Sequence, residues 1–273
     1  MREVQFSARL GPRVILWCVF GCLFLSGAAG LVYEVVWSRY LALFLGHASY
    51  AVVAVLVAFM GGLAAGNWWI GRLADRVKRP LAVYGWLELG IGIYALVFPA
   101  YYELCYGLYV STVKFLNPGT GLGFLLKFCF SLAAILLPTV LMGGTLPMVT
   151  RLVTRSLGEM QGRVAALYSV NSAGAVLGVI LADFWWIQAI GLGSTVFAAA
   201  AMNLVVGCVA LLLSGWMREG IRPESLASNI TDSTSQHPAH ANEEMYGAGE
   251  RLLAVIAAGL SGFVAMLYQV CLL

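Results

Sequence analysis

The chain has 273 residues, of which 61% are hydrophobic and only 11% are charged, and its mean hydropathy is +0.86. Soluble domains are about 45–50% apolar and about 25% charged, so an ordinary cytosolic domain, a disordered chain and a nucleic-acid-binding protein with a basic face are excluded. The apolar runs are continuous, unlike the ~10-residue alternating segments of a membrane β-barrel. The composition therefore predicts an all-α polytopic membrane protein.

Seven apolar stretches in the sequence are long enough to be membrane-spanning helices. The predicted spans are approximately 14–37, 48–70, 81–102, 121–145, 164–188, 193–215 and 252–273. If the N-terminus is cytoplasmic, all but three of the 16 Lys and Arg residues fall on the inner side, the exceptions being Arg39, Lys114 and Lys127. Because an excess of Lys and Arg in cytoplasmic segments orients helices during insertion, this distribution predicts a cytoplasmic N-terminus.

The first span has two alternative interpretations. Its basic start and the small residues 26–30 also fit a cleaved signal peptide, but the apolar run over 14–37 is long for one, which favours a retained helix. Cys18 and Cys22 lie four residues apart in this span, as a metal or redox pair would. Two small apolar residues on one helix face are the simpler interpretation, and we expect no metal site.

The sequence divides into three regions. Residues 1–216 are predicted to form a six-helix transmembrane bundle, 217–250 a flexible cytoplasmic linker rich in polar residues, and 251–273 a seventh transmembrane helix. The seventh helix repeats the first, because residues 25–27 (Leu-Ser-Gly) recur at 260–262. Tyr33 and Val35 recur at the same offset as Tyr268 and Val270.

A repeat in the same orientation is the plan of two-bundle transporters. The sequence given ends within this seventh span. We therefore expect a fragment, a truncated product or one part of a split assembly.

The loop after the second span carries a recognisable motif. Residues 71–76 read Gly-Arg-Leu-Ala-Asp-Arg and resemble the signature loop of the major facilitator superfamily, Gly-x-Leu-Ala-Asp-Arg. The resemblance implies that Gly71, Asp75 and Arg76 form a gating or structural loop, in which Asp75 caps the third helix or pairs with a cytoplasmic Arg. The alternative is a basic inner loop with one compensating acid.

Three further segments, 26–37, 138–147 and 167–178, resemble the membrane region of fused major facilitator/spermidine synthase proteins. The resemblance covers about residues 15–215 and the start of a second bundle at 252–273. In that family a soluble aminopropyltransferase domain follows the helices and uses decarboxylated S-adenosylmethionine and a polyamine. None of that domain's motifs has a counterpart in this sequence, so we expect no catalytic residue and no cofactor, and enzymatic activity is uncertain.

Ionisable residues within membrane spans are costly and are therefore candidate site residues. Glu34, Lys127 and Asp183 fall in the predicted outer half, and Trp37 lies near Glu34. Carboxylates beside aromatic rings suit an organic polycation such as a polyamine, so Glu34, Trp37, Asp183 and Lys127 are the candidate substrate-binding residues. Alternatively, Lys127 neutralises Glu34 or Asp183 and the aromatic residues form an interfacial belt.

Other polar and small residues in the spans have structural or functional interpretations. Glu88, near the inner end of the third span, is a proton-relay acid or a partner of the basic inner loops. Asn67, Asn171 and Asn203 are predicted to form interhelical hydrogen bonds. The pairs Gly62/Gly66 and Gly174/Gly178 are predicted to let helix backbones approach closely. Pro138 and residues 143–144 are predicted to kink or break the fourth span, as a packing feature or a hinge.

The sequence supports two functional hypotheses. The first is an integral membrane module that binds or moves a cationic metabolite such as a polyamine. The second is a non-catalytic accessory subunit, which packs against other transmembrane subunits through 252–273 and its glycine-rich helix faces. Either would contact the lipid bilayer and no nucleic acid, as a multi-pass protein of the bacterial inner membrane.

Overall fold

The computed structural model describes residues 12–45, 48–153 and 157–220 and the single helical positions Leu253 and Ile256. Side chains are described over 14–45, 53–119, 121–153 and 164–217. Over these residues the chain is helical apart from short turns, and no strand occurs. Most of the predicted linker 217–250 and of the predicted seventh helix 251–273 lies outside the described residues.

Long helices follow one another with short connections. They are α1 Pro12–Leu45, α2 Ala48–Ala74, α3 Pro80–Leu116, α4 Thr120–Val153, α5 Leu157–Leu181, a π-helix Ala182–Trp186 and α6 Ile187–Gly220. A helix must carry every backbone hydrogen bond internally to cross lipid, and about 20 residues are enough for the crossing. The predicted all-helical class is therefore confirmed over the described residues.

Five stretches of the described chain are long and apolar enough to span a membrane. They are Val14–Leu45, Val53–Ala74, Pro80–Leu116, Gly121–Val153 and Val164–Met217. The last has 54 residues, which as one straight helix would be about 80 Å long, far more than the ~30 Å hydrocarbon core of a bilayer. A stretch of this length must change direction to fit within a bilayer.

The last stretch reverses direction at Gly191. This residue has φ of +79° and ψ of 170°, inside a segment that is otherwise helical, and glycine adopts such a positive φ without steric cost. The packing partners show the reversal. Along α5, Gly174 and Gly178 meet Phe24 and Ala28, so α5 runs parallel to α1. Along α6 the order is opposite, because Asn203 meets Tyr33 and Gly193 meets Tyr40.

Glycines bring the helix backbones together in pairs. A Cβ added at Gly174 would lie 2.8 Å from the carbonyl carbon of Phe24, and one at Gly143 would lie 2.8 Å from the Cα of Leu63. A Cβ added at Gly207 would lie 2.9 Å from the carbonyl oxygen of Gly85. The close approach predicted for Gly62/Gly66 and Gly174/Gly178 is thus confirmed, and it joins α2 to α4 and α1 to α5.

The predicted break in the fourth span is absent. Helix α4 continues through Pro138 and Pro147 to Val153, and Pro138 is buried. The neighbouring Gly144 packs on the Ile70 side chain, whose Cγ2 would lie 2.8 Å from an added Cβ. Residues 143–144 therefore lie at a helix–helix contact, and the choice between a packing feature and a hinge stays a prediction.

Candidate functional site

Trp37 of α1, one of the predicted substrate-binding residues, lies in the core of the bundle. Its side chain is fully buried. The ring stacks on Tyr33 with 5.1 Å between centroids and packs at a tilt on Phe98 at 5.4 Å. The indole is therefore packed among neighbouring rings inside the bundle.

Asp183 lies in the π-helix and forms an ion pair with Arg39 of α1. The two side chains are 42% and 49% exposed. A π-helix is a rare, wider turn that often marks a functional or re-aimed position, and here it carries Asp183 opposite the end of α1. The sequence suggested Lys127 as a possible partner of Asp183 and did not indicate Arg39, although Arg39 and Asp183 both fall in the predicted outer half.

Lys127 of α4 lies away from both predicted carboxylates. Its Nζ is 5.8 Å from the centroid of the Tyr109 ring, and among the described residues no carboxylate lies within ion-pair distance of it. The four predicted substrate-binding residues therefore do not converge on one cluster. Lys127 lies near the C-terminal end of α3, and Asp183 is paired with Arg39.

Glu34 of α1 is half-buried. Among the described residues, none donates a hydrogen bond to its carboxylate and none forms an ion pair with it. It precedes Arg39 by five residues, which is about 7.5 Å along the helix axis. Glu34 is thus a partly desolvated carboxylate whose charge is unmatched within the described part of the chain.

A second carboxyl, that of Glu88 in α3, is the centre of a polar cluster inside the bundle. Ser26 Oγ donates a hydrogen bond to Glu88 Oε1 at 2.6 Å, and Asn203 Nδ2 donates to Glu88 Oε2 at 2.5 Å. The Tyr33 hydroxyl donates to Asn203 Oδ1 at 2.9 Å. These residues come from α1, α3 and α6, and with Tyr84 they form what we call the Glu88 cluster.

Glu88 itself has no exposed surface. The hydroxyl of Tyr84, one turn earlier on α3, is also buried and lies beside the carboxyl without the geometry of a hydrogen bond. Asn203 makes the interhelical hydrogen bonds predicted for it. Of the two predicted roles for Glu88, pairing with the basic inner loops is not seen among the described residues, since hydroxyl and amide groups surround it.

The signature loop holds its acid at the surface. Asp75 is 83% exposed and its Oδ1 lies 4.0 Å from Arg151 Nε, at the end of α4. The Arg72 guanidinium lies 3.7 Å from the centroid of the Trp68 ring. A Cβ added at Gly71 would lie 3.8 Å from the Pro147 side chain. An exposed pair of this length contributes about 0–1 kcal/mol at most, so the loop is tied to α4 mainly by packing.

Comparisons with known proteins found no relative of this chain. No protein family matches the chain, and no curated protein and no solved structure matches it significantly.

Proposed function

We propose that the chain is a membrane-embedded module of the major facilitator type, similar to the membrane region of fused major facilitator/spermidine synthase proteins. In this proposal six helices form the first bundle, residues 252–273 begin a second, and the N-terminus faces the cytoplasm of a bacterial cell. The three resembling segments, the reversal at Gly191 and the excess of Lys and Arg on one side support it.

The proposed activity is to bind or move a cationic metabolite of the polyamine class. The observation that carries it is the unmatched carboxylate of Glu34, half-buried on α1 without a cation or hydrogen-bond donor among the described residues. A partly desolvated carboxylate gains most from a partner that brings both positive charge and N–H donors. The ammonium groups of a polyamine supply both.

Spermidine binding to the purified chain in lipid nanodiscs tests this proposal. We expect Glu34→Gln to weaken binding about tenfold or more, because a hydrogen bond to a charged group contributes about 1.5–3 kcal/mol. Glu103→Gln on the exposed side of α3 is the matched control and should bind as the wild type does. If the wild type does not bind spermidine, or if both variants bind equally well, the polyamine assignment is wrong.

A second candidate is the accessory subunit. The glycines at 21 and 61 lie on exposed faces of α1 and α2, and no atom of the described residues lies within 4 Å of a Cβ added at either. A partner helix could therefore approach those backbones closely. Gly21→Leu and Gly61→Leu should leave the isolated bundle folded and lower the native mass of its complex in mild detergent. An unchanged mass in both variants would argue against this candidate.

A further inference from the structure

The Glu88 cluster lies largely inside the described part of the bundle. Glu88 and Tyr84 have no exposed surface, and Asn203 is only 2% exposed. The cluster joins residues distant in sequence, since Glu88 lies 62 residues from Ser26 and 115 residues from Asn203. Contacts from α1 and α6 therefore make the Glu88 carboxyl of α3 part of the interior of the bundle.

No cation neutralises Glu88 within the described residues. Arg39 is occupied by Asp183, and Lys127 lies beside Tyr109, which is 21 residues or about 31 Å further along α3. The ionisable groups that face the carboxyl are Cys22 and Tyr33 from α1 and Tyr84 from α3. On α6 the only ionisable side chain over 187–217 is Cys208, which is exposed.

An isolated carboxylate in such a place is costly. Moving an ionised carboxylate out of water without a counter-charge costs several kcal/mol even after relaxation, and in practice a buried acid then takes up a proton. The two hydrogen bonds from Ser26 and Asn203 offset only part of that cost, because each comes from a neutral donor. A change in the charge of the Glu88 carboxyl would therefore change the hydrogen bonds that join the helices around it.

We propose that Glu88 is a proton-binding site of this membrane domain, whose carboxyl takes up one proton inside the bundle. A hydronium ion delivers the proton: its O–H bond breaks as an O–H bond forms at Oε1, water leaves, and no other covalent bond forms or breaks. The Ser26 hydroxyl, which donates to Oε1 in the ionised state, then accepts from it, while Asn203 continues to donate to Oε2. Loss of the proton reverses these changes.

The surroundings favour a proton over a metal ion. The Ser26 hydroxyl and the Asn203 amide nitrogen both direct hydrogen atoms at the carboxyl, and the amide oxygen of Asn203 accepts from Tyr33. A sodium ion would need oxygen lone pairs where these hydrogen atoms lie. The site does not depend on the proposed binding of a polyamine, because it contains neither Glu34 nor Asp183.

Labelling with dicyclohexylcarbodiimide tests the proposal. This apolar reagent adds to protonated carboxyl groups in membrane interiors and leaves a covalent adduct that peptide mass spectrometry can locate. We expect the wild-type chain in nanodiscs to carry the adduct on Glu88, with labelling that falls as the pH is raised from mildly acidic to mildly alkaline and is unaffected by sodium. Glu88→Gln should lose that adduct, and Glu34→Gln should keep it.

Infrared spectroscopy gives an independent readout that needs no reagent access. The carbonyl stretch of a protonated buried carboxyl should be present in the wild type and Glu34→Gln, should disappear at high pH, and should be missing in Glu88→Gln. If Glu88→Gln does not fold, the pH dependence in the wild type and Glu34→Gln still decides the question. Absence of both the adduct and the band at every pH, or protection of Glu88 by sodium at constant pH, would overturn the proposal.

Discussion

At the scale of single residues, the bundle uses its aromatic side chains mainly for packing. The stacked pair Tyr33 and Trp37 extends through Phe98 into a group of rings at the α1–α3 contact, where Tyr102 donates a hydrogen bond to the Tyr40 carbonyl oxygen at 3.1 Å. Aromatic pairs at these distances contribute about 0.5–1.5 kcal/mol beyond the area that they bury. The ring group therefore fixes how α1 sits against α3.

Removing the buried indole should be costly for stability. We expect Trp37→Ala to lower the free energy of unfolding by about 3–5 kcal/mol, because it leaves a large cavity beside Tyr33 and Phe98. Trp185→Ala, whose ring is 68% exposed, is the control and should change stability little. Unfolding in mixed SDS–detergent micelles measures both, and equal losses would contradict the packing role of Trp37.

The ion pair between Arg39 and Asp183 should be weak despite its contact. Both side chains are about half exposed, and exposed pairs typically contribute about 0.2–1 kcal/mol. A double-mutant cycle with Arg39→Ala and Asp183→Ala, read as free energies of unfolding, should give a coupling in that range that decreases with salt. A coupling several times larger would mean that the pair is shielded from water in the membrane.

At the scale of helices, α1 and α5 are joined where α1 has small residues. A Cβ added at Gly27 would lie 2.9 Å from Asn171 Oδ1 and 3.0 Å from the Asn171 carbonyl carbon. Gly30, three residues later on the same helix, has open space at that position. The two positions can therefore be compared directly, because among the described residues only Gly27 lies against a neighbouring backbone.

Adding one methyl group at each position should separate packing from helix propensity. Gly27→Ala should destabilise the bundle by about 1–3 kcal/mol, since the Asn171 backbone must move to admit the methyl group. Gly30→Ala should be neutral or stabilise by up to about 1 kcal/mol, because alanine favours the helix. Unfolding midpoints in mixed micelles compare them, and a Gly30→Ala loss as large as that of Gly27→Ala would refute the packing explanation.

At the scale of the whole molecule, the proposed orientation makes a testable prediction. Arg76 lies in the α2–α3 turn and Asn117 follows α3, and both are exposed. In a cysteine-free background, Arg76→Cys should react with a membrane-impermeant maleimide only after the membrane is opened, and Asn117→Cys should react in intact cells. The reverse pattern would place the N-terminus outside.

The sequence predicted the helical membrane class, because that class depends on local composition. It also predicted the glycine pairs, whose spacing of four residues marks a helix face. It did not predict which helices meet. Nor did it predict that Arg39 pairs with Asp183 or that Trp37 is buried, because burial and partners are set by tertiary packing.

The Glu88 cluster shows the same limit. Sequence marks Glu88 as costly in a membrane span and Asn203 as a hydrogen-bonding residue. It does not reveal that Ser26 and Asn203 meet on opposite oxygens of one carboxyl. That fact requires α1, α3 and α6 to pack together, which no single span reveals.

The glycine contacts also restrict how this bundle can move. If α5 slid by one residue along α1, an alanine would replace Gly174 against the Phe24 backbone, and a slide of α4 along α2 that replaced Gly143 by Met142 would meet the Leu63 backbone in the same way. Each of these pairs therefore resists such a slide. Any change of shape in the membrane would have to keep the pairs intact and occur at the seams between them, where side chains rather than backbones meet.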